Sequence, residues 1–277
     1  MVVLLSASTD EVVFTSGGSE ANNAVLKGGF FSRRATVGAP HIVTTQIEHP
    51  AILTLCRFLE ALGARMTRLP VDSTGLVDPT QVRDTLTAET TLVSVMHANN
   101  EVDTVLPIAE IGAITTDRGI PFHTDTAAMI GTIATRVDDL GVDLLSVARR
   151  KCCAPRGVGS LYVRSGLDLE PIVQGAAHEG GRRTEAESAL LAVGLGAACQ
   201  LAELTTYFWN PSHDSFGSPV VRNGHSSRCL PNTLNVSFPG HHTQDIHVRL
   251  KWGSRRQRDP PVTADQTSCN PYSGPCV

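Results

Sequence analysis

The chain has 277 residues, 41% of them hydrophobic, and a formal net charge of −4. That length supports one large core or two modest ones. The slight acidity gives no electrostatic footprint for nucleic acid, and no apolar run approaches the roughly 20 residues of a membrane helix, so neither is an expected partner.

The opening stretch, MVVLLSASTDEVVF, is apolar but short and lacks a basic flank, so it is not read as a signal peptide. EVVFTSG (11–17) reads as a strand and SEANNAVLKGG (19–29) as a helix, with Glu20 and Asn22 placed to cap its start. A second strand follows at 41–50, then a helix over 51–64 ended by Gly63. ARMTRLPV (64–71) is a strand, and DPTQVRDTLTAET (78–90) is a helix with Asp78 as cap and Pro79 at its first position. TLVSVMHAN (91–99) is a strand, IAEIGAITTDRG (108–119) a helix closing at Gly119, and IPFHTDTA (120–127) a strand. DLLSVARRK (143–151) and GVGSLYVR (157–164) are further strands. This alternation implies an α/β fold with a mostly parallel sheet covered by helices on both faces. From about 206 the chain is loop-rich with one alternating strand, TLNVSF (233–238), and after Gly240 it turns polar and rich in Pro, Gly and Ser, the composition of a poorly ordered segment.

The seven cysteines (Cys56, Cys152, Cys153, Cys199, Cys229, Cys269 and Cys276) are odd in number and irregularly spaced. They suggest no disulfide framework, and a reducing cytoplasm suits them better. Cys152 and Cys153 are adjacent and cannot form a CxxC knuckle, and no metal site is expected.

Polar residues gather at the predicted strand ends. SGGSE (16–20) links a strand to a helix, where backbone N–H groups can hold an anion and glycines let a phosphate approach; it also reads as an ordinary turn. His49 follows the second strand, Asn99 and Asn100 the fourth, Asp125 the fifth, and Lys151 the sixth. Each has a structural reading: a hydrogen-bonded His, turn-forming Asn, a helix-capping Asp, a solvated Lys. Together, at successive strand ends, they suit pyridoxal phosphate: lysine for the Schiff base, acid for the pyridinium, glycine turn for the phosphate.

The segments FTSGGSEANNAVLKG, IEHPAIL, VMHANNEVDTVLPI, FHTDTAAMIG, DLGVDLLSVARRKCCAPRGVGSLYV and NTLNVSFPG resemble the NifS-like cysteine desulfurases and selenocysteine lyases of the class V aminotransferase group. The resemblance runs from about residue 8 to 240 and implies fold type I of the pyridoxal-phosphate enzymes. It matches Lys151 to the Schiff-base lysine, Asp125 to the pyridinium partner, His49 to the ring-stacking, proton-shuttling histidine, and Asn100 to the ring-contacting asparagine. Gly18 and Ser19 match the phosphate turn, with Ser19 where the family usually has Thr. It implies a homodimer that takes sulfur from cysteine, leaving alanine, and passes it to an acceptor thiol or protein. Selenocysteine as substrate stays open, as does a non-catalytic relative acting as a binding partner.

Several positions depart from the family pattern. Ser-Gly-His before the lysine is replaced by Ala148, Arg149 and Arg150, the Gln after the aspartate by Ala128, and Arg-Arg-Ala-Gly-Thr-Glu by RRTEAE (182–187), with Ala186 for the phosphate-contacting Thr. Each lost contact costs about 0.5–1.5 kcal/mol, so weakened cofactor binding and impaired turnover are expected; Arg149 or Arg150 compensates if it faces the phosphate. Cys269, in QTSCNPYSG, loosely mimics a persulfide loop, and Cys152 and Cys153 read as core fillers. The expected organisation is a large cofactor-binding domain over 1–205 and a truncated or disordered remnant of the small domain over 206–277.

Overall fold

The computed structural model describes residues 1–126, 133, 135–148, 155–202, 221–225, 227–230 and 235–237. Lys151, Ala128, Arg149, Arg150, Cys152, Cys153, Cys269 and everything after 237 lie outside the described residues, as does most of the 206–277 unit.

A short helix α1 (Val2–Leu5) leads into strand β1 (Val12–Thr15). Then follow α2 (Gly18–Val37), β2 (His41–Thr45), α3 (Pro50–Ala61), β3 (Arg65–Leu69), α4 (Pro79–Thr85) and β4 (Thr90–Ser94). Next come α5 (Ile108–Asp117), β5 (Phe122–Asp125), α6 (Val137–Leu140), β6 (Leu144–Val147) and β7 (Gly159–Val163). The hairpin of β8 (Ala177–His178) and β9 (Arg183–Thr184), the helix α7 (Ala189–Ala202), and the pair β10 (Val221–Arg222) and β11 (Val236–Ser237) complete the order.

The main sheet runs β1-β7-β6-β5-β4-β2-β3. Only β7 opposes its neighbours; the other pairs are parallel. Successive strand residues point to opposite faces, and the two cores divide accordingly. Val12, Val43, Val93, Leu145 and Tyr162 enter one core, and Val13, Ile42, Leu92, Leu144 and Leu161 the other. Burial on both faces explains why these strands read as nearly unbroken apolar runs.

The predicted strands all form, each a little shorter than its apolar run. Asp78 caps α4 by accepting from Thr80 N at 2.8 Å, with Pro79 in the first turn. Helix α2 differs: it runs on past Gly28 and Gly29 to Val37. Those glycines do not stop it, because Gly28 is there for a close approach: a Cβ would lie 2.9 Å from the Glu170 carbonyl oxygen. The caps expected for α2 also differ. Gly17 occupies the cap position without a side-chain bond, Glu20 reaches back to Ser16 N at 2.7 Å, and Asn22 is buried. Of TLNVSF only Val236–Ser237 is strand, paired with β10.

The strand ends are tied crosswise. His97 N donates to the Asp125 carbonyl at 3.0 Å, extending the β4–β5 ladder, and Asn235 Nδ2 donates to the Glu101 carbonyl at 2.8 Å. The parallel strands thus end on one edge, where α/β sheets bind their ligands.

Candidate functional site

Residues of that edge connect through short polar contacts. Asp125, at the end of β5, is 6% exposed and accepts from Asn22 Nδ2 at 2.7 Å. This bond joins the second turn of α2 to the centre of the sheet. One side of the helix start thereby faces the sheet edge, and Gly18 and Ser19 stand one turn earlier. Gly17 must lie close to β7: a Cβ on Gly159 would sit 2.7 Å from Gly17 Cα.

Glu48 lies just before the α3 cap. Its Oε1 accepts from Thr45 Oγ1 at 2.7 Å and Met96 N at 2.9 Å, while Oε2 is buried without a partner among the described residues. Burial pushes its pKa up to about 8, and the negative Asp125 adds to the rise. A buried carboxyl in this setting holds its proton at neutral pH. His49 is exposed and caps α3, its Nδ1 accepting from Ala51 N at 3.1 Å. In the neutral ring the proton therefore sits on Nε2.

The two asparagines after β4 separate in role. Asn99 is buried and structural: its amide donates to the Ile47 carbonyl at 3.0 Å, and its oxygen accepts from Glu101 N and Val102 N. Asn100 is half-buried beside it. Two further histidines are kept neutral by burial, His97 at about 4 and His123 at about 3. His123 lies between Ser94 Oγ and Ser146 Oγ, at 2.8 and 2.9 Å, and holds β4, β5 and β6 together.

Beside the glycine turn, a cleft of about 130 Å³ is lined by Thr15, Ser16, Gly157, Arg183 and Ala186, and by none of Asp125, His49 or Asn100. Arg183 donates through Nε to Glu20 Oε1 at 2.7 Å. Burial opposes the Glu20 charge, but Arg183 and Ser16 outweigh it and hold its pKa below the usual value. Ala186 is exposed at the cleft wall and offers no hydroxyl. Glu185 has φ of 80°, a left-handed backbone that costs a side-chain-bearing residue about 1–2 kcal/mol. The family segment quoted above carries Gly at this position. Glu185→Gly is expected to stabilise the protein by about 1 kcal/mol, read as a rise of a few degrees in thermal midpoint.

The strands that precede Gly18, Ser19, His49, Asn100 and Asp125 end on one edge of the sheet, and Asn22 ties α2 to Asp125 there; Lys151 is outside the described residues. Sequence reasoning missed Asn22 and Glu48. The available signal was position: Asn22 lies within the apolar stripe of Ala21, Val25 and Leu26, and Glu48 between a buried strand and His49.

Residues 3–185 match the family described as aminotransferase class-V. The chain belongs to that family. This class-V protein is 41% identical over 246 residues to the cysteine desulfurase IscS of Dictyoglomus turgidum, covering 84% of this chain and 62% of that one. It is 38% identical over 264 residues to the mitochondrial cysteine desulfurase of Drosophila melanogaster, covering 91% and 57%. Among solved structures, SspA in complex with cysteine superposes with a TM-score of 0.78 at 33% identity over 92% of this chain and 73% of that one. DndA from Streptomyces lividans superposes with 0.80 at 29% over 91% and 75%. The fold is therefore the fold type I of these class-V proteins. The chain spans about three fifths of the length of the curated relatives it matches. No described helix is long and apolar enough to cross a membrane.

Proposed function

We propose that this class-V chain binds pyridoxal phosphate at the sheet edge and uses it to remove sulfur from cysteine. The observation that carries the reading is the buried Asp125 carboxylate, fixed by Asn22 at the end of β5. A buried carboxylate at the end of a central strand is placed to hold a protonated ring nitrogen charged. The start of α2 fits the other end of the same molecule. Its cap residue is a glycine and no described side chain caps it, so its first amides are available to a phosphate.

Bound there, pyridoxal phosphate supplies an aldehyde for the substrate amine and a ring that accepts electrons. The chain's residues do the rest. Lys151 would hold the aldehyde end and take the Cα proton. Asp125 would keep the ring nitrogen charged. His49 would cover the ring and move a proton at the leaving sulfur through Nε2; Asn100 would contact the ring. Gly18 and Ser19 would hold the phosphate. Overall, cysteine and an acceptor thiol become alanine and a persulfide: one C–S bond breaks, one S–S bond forms, and the thiol proton ends on the alanine side.

Two further parts of the reading rest on surface chemistry. Leu190 and Val193 of α7 are 82% and 72% exposed, which supports a homodimer that covers them. The described cysteines Cys56 and Cys229 are in no disulfide, which supports a reducing cytoplasmic setting; a sulfur-accepting protein belongs to the same reading. The 41% identity to a cysteine desulfurase favours cysteine over selenocysteine.

The test uses the full chain incubated with pyridoxal phosphate and passed through gel filtration. A visible band should stay with the protein, borohydride followed by peptide mass mapping should place the cofactor on Lys151, and cysteine should yield alanine. A colourless protein, or a label on another lysine, overturns the reading.

A further inference from the structure

We propose that Glu48 is a second acid of the cofactor site: it is neutral while the site is empty and gives its proton to solvent when a protonated ring nitrogen settles against Asp125. The proposal rests on the pyridoxal-phosphate reading above.

The two acids flank the same step of one strand end. Met96 N donates to Glu48 Oε1 at 2.9 Å, and the next amide, His97 N, donates to the Asp125 carbonyl at 3.0 Å. Strand β4 lies between β2 and β5, so its end takes Glu48 from the β2 side and Asp125 from the β5 side. Both acids also lie under the same helical layer. Asn22 of α2 donates to Asp125, and Glu48 acts on the thiol of Cys56 in α3. Helices α2 and α3 pack over one core, through Ala21, Val25, Cys56 and Leu59.

Glu48 is 3% exposed, and its Oε2 is buried with no partner among the described residues. A carboxyl so placed keeps its proton as long as nothing nearby favours the charge. The titratable groups around it do not. Asp125, on the β5 side, repels the charge. Cys56, from α3, has its thiol pushed up to about 11 by burial and is uncharged. His97, the residue after Met96, is kept neutral by burial. Arg68 acts on Cys56 and is held by Glu60 at 2.7 and 2.9 Å. His49, the next residue in the chain, is exposed and caps α3.

A protonated ring nitrogen changes this balance. It brings a positive charge to Asp125, cancels the repulsion that opposes ionisation of Glu48, and itself favours the ionised form. The phosphate lies at the other end of the same ligand, so its field at Glu48 is weaker. Glu48 touches neither cofactor nor substrate in this arrangement. It acts through the field it shares with Asp125, where a second carboxylate makes the ring nitrogen harder to deprotonate.

The measurement is the number of protons released when the full chain binds pyridoxal phosphate at about pH 7, where an ordinary glutamate is ionised and Glu48 is not. Titration calorimetry in two buffers of different ionisation enthalpy gives that number for wild type and for Glu48→Gln. Protons lost by Lys151 and by the cofactor itself are common to both proteins and cancel in the difference. Wild type should release about half a proton more than the variant, and its affinity should gain about fivefold more between about pH 6 and pH 9. A purely structural Glu48 would change affinity by the same factor at every pH. Difference infrared spectra of wild type labelled with 13C-glutamate, empty against loaded, follow the same proton without a variant and decide the case if Glu48→Gln fails to fold. The band of a protonated glutamate carboxyl should vanish on loading. Equal proton release by the two proteins, or a band that persists, overturns the proposal alone. A wild type that binds no pyridoxal phosphate overturns the cofactor reading and this proposal with it.

Discussion

Asp125→Asn is expected to lower both cofactor affinity and alanine formation by roughly 10²-fold or more, while the apo protein keeps its fold. The substitution preserves shape, and the new amide oxygen can still accept from Asn22, whose donor now lies 2.7 Å from Oδ2. Only the charge is lost. Removing one member of a buried charge pair typically costs about 3–5 kcal/mol, and each 1.4 kcal/mol is a factor of ten. The apo protein is relieved of a carboxylate 6% exposed. Its thermal midpoint should therefore stay level or rise. Dialysis binding, alanine assay and thermal unfolding on the same preparation separate the outcomes. A variant that binds and turns over like wild type would remove Asp125 from the site.

The sheet and its candidate edge were legible because their signals are local. Asp78 and Pro79 announce α4 with a cap and a compatible first residue. Neighbouring apolar residues such as Val12 and Val13 feed opposite cores, and a strand buried on both sides must be apolar throughout. Once the strands are parallel, their ends share an edge, and Asp125, His49 and Asn100 come with them. The losses have the opposite character. The helix read over 19–29 runs on to Val37, and Gly28 lies inside it because a backbone packs against it from residue 170. Asn22 reads as a cap because cap residues are polar and sit near helix starts; its partner lies on a strand far along the chain. Helix α7 is nearly uniform in apolar residues, so it shows no amphipathic period to mark it. The motif resemblance carried the lysine and the reaction type, which the geometry of the described residues does not reach.

Glu48→Gln is expected to flatten the pH dependence of stability between about pH 5 and 8 and to stabilise the protein on the alkaline side. Glu48 is 3% exposed and its pKa is raised from 4.5 to about 8, first by burial and then by Asp125. A carboxyl whose folded pKa lies above its unfolded pKa binds more protons in the folded state across that interval. Stability therefore falls as pH rises through it. The loss begins near the unfolded value, is complete above the folded one, and amounts to several kcal/mol for a displacement of this size. Glutamine has no proton to lose. It keeps an oxygen for Thr45 Oγ1 and Met96 N, the two donors that Oε1 now accepts, and its amide stands where the protonated Oε2 was. Below about pH 5 variant and wild type should therefore have similar stability, and near pH 9 the variant should resist urea at clearly higher concentration. Urea midpoints at a series of pH values decide it. Parallel curves for the two proteins would mean that Glu48 is ionised in the fold throughout. The protonated state also bears on the site. A neutral Glu48 leaves Asp125 as the charged member of the two carboxyls, so the negative field at the sheet edge is concentrated where the ring nitrogen is to sit. Ionising Glu48 as pH rises would then add a second negative charge beside the first. Asp125→Asn should pull the Glu48 titration downward by removing that repulsion, a shift visible in the same urea series.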